Sequence, residues 1–264
     1  MGNPAGGFIW YELMTDDAEA AAAFYGAVVG WTFSGSDPDS PFDYRHITRT
    51  NGIPAGGLLP LTADMVAQGA HPAWVPYLHV TDLDATLAAI LAEGGKALGP
   101  RMDIDVGSFA MVTDPFGTPF YLMQPQMPEG QPGAASKVFT PDQVQSVRWN
   151  ELASPDLEGA KAFYTRHFGF AFNTAMPMGD AGDYCFIEHN GQMLGAIMQR
   201  HDLARPPLWL PYFGVPSVGV AKAAIESGGG TVLMGPHQVP GGEWVVIARD
   251  PQGAMFAVVG PMGE

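Results

Sequence analysis

Trp10-Tyr11-Glu12-Leu13, followed by Phe24-Tyr25 and Gly30-Trp31, returns as Trp149-Asn150-Glu151-Leu152, Phe163-Tyr164 and Gly169-Phe170, displaced throughout by the same 139 residues. Three further landmarks repeat in order: Trp74-Val75-Pro76-Tyr77 as Trp209-Leu210-Pro211-Tyr212, Gly99-Pro100 as Gly235-Pro236, and Asp114-Pro115-Phe116-Gly117 as Asp250-Pro251-Gln252-Gly253. Landmarks this widely separated keep their register only if a packing arrangement has been kept with them. The sequence therefore reads as a duplicated domain.

The 264 residues divide into halves that are each large enough for a core of their own, and a hydrophobic share of 47% supports two such cores. Twelve Lys and Arg against 27 Asp and Glu give a formal net charge of −15, which repels a phosphate backbone, so nucleic acid is not an expected partner. No stretch approaches the roughly 20 apolar residues of a membrane span, and no leader pattern opens the chain. A soluble, cytoplasmic protein without a membrane partner is expected. The single cysteine, Cys185, rules out an internal disulfide and any Cys-based metal site, and its place in Tyr184-Cys185-Phe186-Ile187 suggests a buried small hydrophobe.

Each half contains the same order of elements twice. Ala21, Phe24 and Val28 fall at helical spacing between Asp16 and Val29, and Gly30 is placed to stop that helix. In its counterpart Ser154 can cap, Pro155 suits the first helical position, and Asp156 and Glu158 put negative charge at the positive end of the dipole. Second helices run from about Asp82 to Glu93 and from about Ser217 to Glu226, and glycine runs close both. Strands are expected at Arg45 to Thr48, Phe109 to Val112, Phe120 to Met123, Tyr184 to Glu188, Trp244 to Ala248 and Met255 to Val259. The stretch from Met127 to Ser136, rich in Pro, Gly, Gln and Ala, marks a linker, giving domains at 1–126 and 144–264 with a connection at 127–143.

Four successive strand-helix-strand-strand-strand modules, with Phe-Tyr in the first helix of each half and Asp-Pro-x-Gly before each last strand, resemble the vicinal oxygen chelate superfamily. That superfamily comprises the glyoxalases, the extradiol dioxygenases and the bleomycin-resistance proteins. The Trp-x-Glu-Leu and Trp-x-Pro-Tyr segments are similar to a tandem branch labelled hydroxylase or glyoxalase-like. The resemblance implies an α+β fold in which the modules pair into two tandem domains, each a curved mixed sheet around a cavity.

The resemblance also implies one divalent metal per cavity, held by His and Glu on the first and last strands of the paired modules. Registered on the Phe-Tyr pairs, the first ligand falls on Trp10 and Trp149, the second on Val75 and Leu210, and the last on Tyr121 and Ala257. Gly57 and Ala196 mark where the first module's own last strand contributes. A metal site of oxygen and nitrogen ligands needs several donors converging at bonding distance. These positions do not supply them, so no metal ligand and no cofactor is expected. A divalent metal returns only if the strand register is wrong, since a slip of one residue exchanges the two faces.

Strand alternation puts Glu12 and Met14 on the face of Trp10, puts Glu151 on that of Trp149, and sets Val75, Tyr77 and His79 together. Glu12 and His79, with Glu151 in the second half, are the candidate acid and base groups. They also fit a structural role, in which a buried carboxylate accepts hydrogen bonds from tyrosine hydroxyls or backbone. Trp10, Met14, Trp74, Tyr77 and Tyr121, with Trp149, Trp209 and Tyr212 as a second set, are candidates to line a site for a planar ligand, or else to pack the core. Arg101 and His237 follow the repeated Gly-Pro and are candidates for a rim contact to an anion.

These residues point first to a small-molecule-binding protein for a largely apolar or aromatic metabolite or antibiotic, without the usual metal. The alternative is a lyase, dioxygenase or hydroxylase, either metal-dependent or using Glu12 and His79. A protein-interaction scaffold is the third class. Whether the chain is an enzyme is left open, and both monomer and homodimer are compatible with the duplication.

Overall fold

In the computed structural model residues 2–36, 43–126, 135–202 and 206–263 are described. The expected linker residues 127–134 lie outside the described residues. Four modules follow one another. The first is β1 (Phe8–Thr15), α1 (Ala18–Val29), β2 (Thr32–Phe33), β3 (Arg45–Thr48) and β4 (Pro54–Pro60), followed by the short helix α2 (Ala63–Ala67). The second is β5 (Ala73–His79), α3 (Leu83–Ala92), β6 (Lys96–Ala97), β7 (Met102–Ile104), β8 (Gly107–Thr113) and β9 (Pro119–Pro125). The third is β10 (Val147–Ser154), α4 (Leu157–Phe168), β11 (Ala175–Pro177), β12 (Asp183–His189) and β13 (Gln192–Gln199). The fourth is β14 (Trp209–Gly214), α5 (Val218–Ser227), β15 (Thr231–Gln238), β16 (Trp244–Arg249) and β17 (Met255–Gly260).

The strands of the first half belong to a nine-stranded mixed sheet and those of the second half to an eight-stranded one. In each module the first strand runs parallel to the last, as in β1 with β4 and β14 with β17, because the helix between them supplies the crossover. Hairpin neighbours such as β8 with β9 and β16 with β17 are antiparallel.

The four module helices begin in the same way. The side chains of Asp17, Asp82, Asp156 and Ser217 accept from the backbone N–H three residues on, each satisfying one of the unpaired donors of a first helical turn. This corrects the expected start of α4. Ser154 is the last residue of β10 and accepts from the Asp156 N–H, whereas Asp156 is the cap. An aspartate at that position can reach the Gly159 N–H at 2.9 Å once the chain has turned off the sheet. Gly30 and Gly169 stop α1 and α4 in left-handed geometry, at φ of 83° and 69°.

Compactness does not follow the halves. One compact unit takes residues 1–9, 75–136 and 150–209; the other takes 10–74, 137–149 and 210–264. Each unit therefore draws on a module from both halves, the second with the third and the first with the fourth.

In the unit built on modules one and four, α1 packs against α5. Phe24 and Tyr25 of α1 meet Phe256 at 5.9 and 5.2 Å, and Tyr25, Trp31 and Trp74 gather around Phe213 at 6.3, 4.7 and 4.9 Å. These rings are almost wholly buried. Each contributes roughly 1.5–3 kcal/mol through removal from water, and edge-on contacts add about 0.5–1.5 kcal/mol per pair. The Tyr25 hydroxyl accepts from the Trp74 indole N–H at 2.8 Å and donates to Asp250 at 2.9 Å.

The other unit repeats this arrangement with the roles exchanged between the halves. Phe163, Tyr164 and Phe168 of α4 pack on Phe120, and the Tyr164 hydroxyl accepts from Trp209 at 3.1 Å and donates to Asp114 at 3.0 Å. In both cases the aspartate of the Asp-Pro-x-Gly turn holds its own turn with one oxygen and the tyrosine of the other half with the second. Burial, and after it the neighbouring carboxylate, push both tyrosines well above their usual pKa. They remain protonated donors. Among the described residues no helix is long and apolar enough to cross a membrane.

Candidate functional site

On β1 the side chain of Glu12 is 2% exposed, and its Cα partner on β4 is Gly57. Over that glycine lies Tyr44. A Cβ at position 57 would fall on the Tyr44 hydroxyl, so glycine there makes room for it. The hydroxyl bonds to Glu12 and accepts from the Trp10 indole N–H at 2.8 Å. Burial, then the Glu12 carboxylate, hold the Tyr44 phenol far above its ordinary pKa, so it donates its proton to Glu12. His46, exposed, stands edge-on to Tyr44 at 5.5 Å and to Trp10 at 6.4 Å. Trp10 and Tyr44 are half-buried, so the rings of Trp10, Tyr44 and His46 are partly exposed while Tyr44 is bonded to the buried Glu12.

The second half carries the same pair. Tyr184 on β12 donates to Glu151 at 2.7 Å, with Phe186 edge-on to Tyr184 at 5.7 Å and 83°, against 80° for Tyr44 and His46. Ala196 stands beside Glu151 where Gly57 stands beside Glu12.

On β5 and β9 Tyr77 lies next to Tyr121 in register, and the rings stack at 4.1 Å and 15°. Phe109 of β8 closes the group at 5.7 Å from Tyr121 and 6.0 Å from Tyr77. The register confirms that Tyr77 and Tyr121 share a face. In the second half Tyr212 is partnered by Ala257, so the tyrosine stack has no counterpart there.

Not all expected site residues belong to these groups. Trp74 and Trp209 are 3% and 1% exposed, and their indole N–H groups are committed to Tyr25 and Tyr164 in the helix-side core. They sit one residue before Val75 and Leu210, and alternation turns them to the opposite strand face. Met14 is buried at 4% and Tyr212 at 6%, while Trp149 is half-buried. His79 belongs to the other compact unit from Glu12 and lines a depression of 580 Å³ together with His167 and His189. Its backbone straps Gly6 and Gly7, and its Nδ1 is buried with no partner among the described residues. Arg101 is tied to Asp103 at 3.0 Å and Asp84 at 3.3 Å, so its charge is shared among acids, and His237 is an exposed residue of β15. Cys185 is a buried free thiol whose pKa burial raises.

Sequence reasoning missed Tyr44, His46, Tyr184 and Phe186. The signal was present as Tyr44-x-His46 and Tyr184-x-Phe186, ring residues at strand spacing in matching places of the repeat. The positions that resemblance marks for metal ligands hold Trp10, Val75 and Tyr121 in the first half and Trp149, Leu210 and Ala257 in the second. Among the described residues no three His, Cys, Asp or Glu groups lie together in a way that can hold a metal ion.

The fold and site define a tandem protein of βαβββ modules. Residues 142–258 match the family model of the Glyoxalase/Bleomycin resistance protein/Dioxygenase superfamily, and residues 11–123 match that of the Glyoxalase-like domain. The chain belongs to this superfamily. It is 27% identical over 253 residues to "Putative glyoxylase CFP32" of Mycobacterium tuberculosis (strain CDC 1551 / Oshkosh), covering 96% of this chain and 94% of that protein. It is 26% identical to the anthracycline biosynthesis protein DauV of Streptomyces sp. (strain C5), covering 95% of this chain and 91% of that one. In fold it is similar to the Mn(II)-bound glyoxalase from Novosphingobium aromaticivorans, with a TM-score of 0.61 at 17% identity over 98% of this chain and 83% of that one. It is also similar to the 2,3-dioxygenase LapB from Pseudomonas sp. KL28, with a TM-score of 0.60 at 15% identity over 95% and 90%.

Proposed function

We propose that the protein binds a small, flat, largely apolar aromatic metabolite or antibiotic without a metal ion. The observation that carries this is the partly open ring group of Trp10, Tyr44 and His46 over the buried Glu12, together with apolar and aromatic residues where the superfamily's enzymes hold their metal. Flat ligands gain most from such rings, because stacking and edge contacts add to simple burial. The relatives DauV and DnrV are named for anthracycline biosynthesis, and anthracyclines are flat polycyclic aromatics, which supports the same ligand class.

A second reading is a lyase, dioxygenase or hydroxylase acting through Glu12 as base. It is favoured by the burial of that carboxylate beside a tyrosine hydroxyl and by the name of the CFP32 relative. Protein prepared without a tag or chelator separates the two. Elemental mass spectrometry is expected to give metal well below one equivalent, and calorimetry is expected to detect binding of anthraquinone-type ligands. Stoichiometric iron, zinc or manganese with metal-dependent turnover of a glyoxalase or catechol substrate would remove the binding reading.

A further inference from the structure

We propose that the depression lined by His79, His167 and His189 is a binding site for a small oxyanion, a carboxylate or a phosphate, with His79 and Thr81 as its donors. It lies wholly within the unit built on modules two and three, and it stands whether or not the first-half ring group binds an aromatic.

The walls set the sign of the ligand. Three of the chain's seven histidines line the depression, and among the described residues none of its 27 acids does. In a chain with a net charge of −15 that is a local exception. The acid that meets His167, Glu93 at 3.1 Å, is bonded also to Arg166 at 2.6 Å, so its charge is answered from outside the wall. A volume of 580 Å³ admits a small molecule.

Six side chains bring polar atoms to the wall, and four of them are engaged. Thr86 donates to the Asp82 carbonyl at 2.7 Å, and Nε2 of His167 donates to the Glu93 carboxylate, which only accepts. His189 sits between two carbonyls, with Nε2 2.8 Å from Ala5 and Nδ1 3.3 Å from Gly169. The Asn190 amide is 2.9 Å from the same Nε2 and keeps a further proton of its own. His79 and Thr81 differ. Thr81 is exposed, with its hydroxyl outside these bonds, and Nδ1 of His79 is buried with no partner among the described residues.

That buried nitrogen fixes the tautomer. A proton on Nδ1 would be a buried donor with nothing to meet, which is rarer than an unmet lone pair. The proton therefore sits on Nε2, the nitrogen left to the depression. An imidazole N–H and a hydroxyl suit an oxyanion, and a hydrogen bond to a charged acceptor is about twice as strong as a neutral one. The wall is also built. The Gly6 N–H donates to the His79 carbonyl at 2.8 Å, and the His79 N–H donates to the Gly7 carbonyl at 2.9 Å. Gly6 has a φ of 86°, and a Cβ there would fall on the Phe168 carbonyl, so the segment before β1 is tied to β5 and seated on the end of α4.

The test titrates the full, isotope-labelled chain at constant pH and ionic strength with succinate, with inorganic phosphate and, as a control, with chloride. Long-range proton–nitrogen correlation follows the histidine rings. In the free protein His79 is expected to carry its proton on Nε2, and a proton on Nδ1 overturns the proposal. The His79 signals are expected to move to saturation with succinate, with phosphate or with both, and which of them saturates separates a carboxylate site from a phosphate site. The signals of His71, an exposed histidine outside this unit, are expected to move no more than they do with chloride. His79→Phe keeps a ring and removes the donor, and it is expected to weaken binding about tenfold, read at the Gly6 and Asn190 amides. Should it not fold, Thr81→Val at its exposed position is expected to weaken binding about threefold. Shifts that do not saturate, shifts that chloride reproduces or His71 shares, or an affinity unchanged by loss of these donors overturn the site.

Discussion

Asp250→Ala tests whether the chain is held together as the two units require. One oxygen of Asp250 accepts from the backbone N–H groups of Gln252, Gly253 and Ala254 at 3.0, 2.8 and 2.8 Å, and the other accepts from Tyr25 at 2.9 Å. The turn donors of Gln252 and Gly253 can rebond to water. The Ala254 N–H and the Tyr25 hydroxyl are buried and cannot. Each buried donor left unpaired costs about 1–3 kcal/mol, and removing a carboxylate that burial disfavours returns part of that. The net loss is expected to be about 2–4 kcal/mol, a large share of the 5–15 kcal/mol that holds a domain. Tyr25→Phe removes one bond to Asp250 and strands the Trp74 indole, so its loss is expected to be smaller, about 1–3 kcal/mol. Urea unfolding followed by tryptophan fluorescence and far-ultraviolet circular dichroism measures both, and the double variant measures their coupling. A loss below about 1 kcal/mol for Asp250→Ala, or strict additivity of the two changes, would refute the reasoning.

Three further outcomes are expected. Burial raises the pKa of Asp114 and Asp250 above the ordinary 3.8, more than their hydrogen bonds lower it. The folded state then holds these protons more tightly than the unfolded one, so their contribution is fully present below pH 3.8 and is lost as pH rises through the folded values. The stability of wild type relative to Asp114→Asn/Asp250→Asn is expected to fall from acid toward neutral pH, and a difference that grows instead would contradict it. Gly195→Ala places a Cβ on the Asn150 carbonyl of the adjacent strand and is expected to cost about 3 kcal/mol or more, whereas Gly191→Ala meets open space and pays only the left-handed strain of about 1–2 kcal/mol; thermal melts that rank them equally would refute this. Gln145 accepts from the Thr50 N–H and hydroxyl and donates to the Gly30 carbonyl at the end of α1. Gln145→Ala is expected to remove hydrogen-exchange protection at Thr50 and to lower stability by about 1–2 kcal/mol, and an unchanged Thr50 amide would count against that tie.

Much of the fold was legible along the chain because its causes are local. Asp17, Asp82 and Ser217 cap helices within three residues, Gly30 and Gly169 end them within one, and hydrophobic periodicity within a few turns fixes the strands. Where two local signals competed, as with Ser154 and Asp156 at the head of α4, the chain direction leaving β10 decided, and composition does not carry that direction. The repeat located Glu12 and Glu151 as matching strand residues. It could not show that Tyr44 and Tyr184 hold them, because those contacts reach across an intervening strand, β4 or β13, to a residue more than thirty positions away.

The sequence by itself determined that the chain is a duplication of βαβββ modules. This follows from residue type and spacing, which chain order preserves. Tertiary structure alone decided which module each module packs with, and hence that Tyr25 answers to Asp250 and Tyr164 to Asp114. The reason is physical. Two halves that share the same landmarks offer each tyrosine two equivalent aspartates, so the choice lies in the packing of whole aromatic layers, a property of the assembled core and not of any one segment.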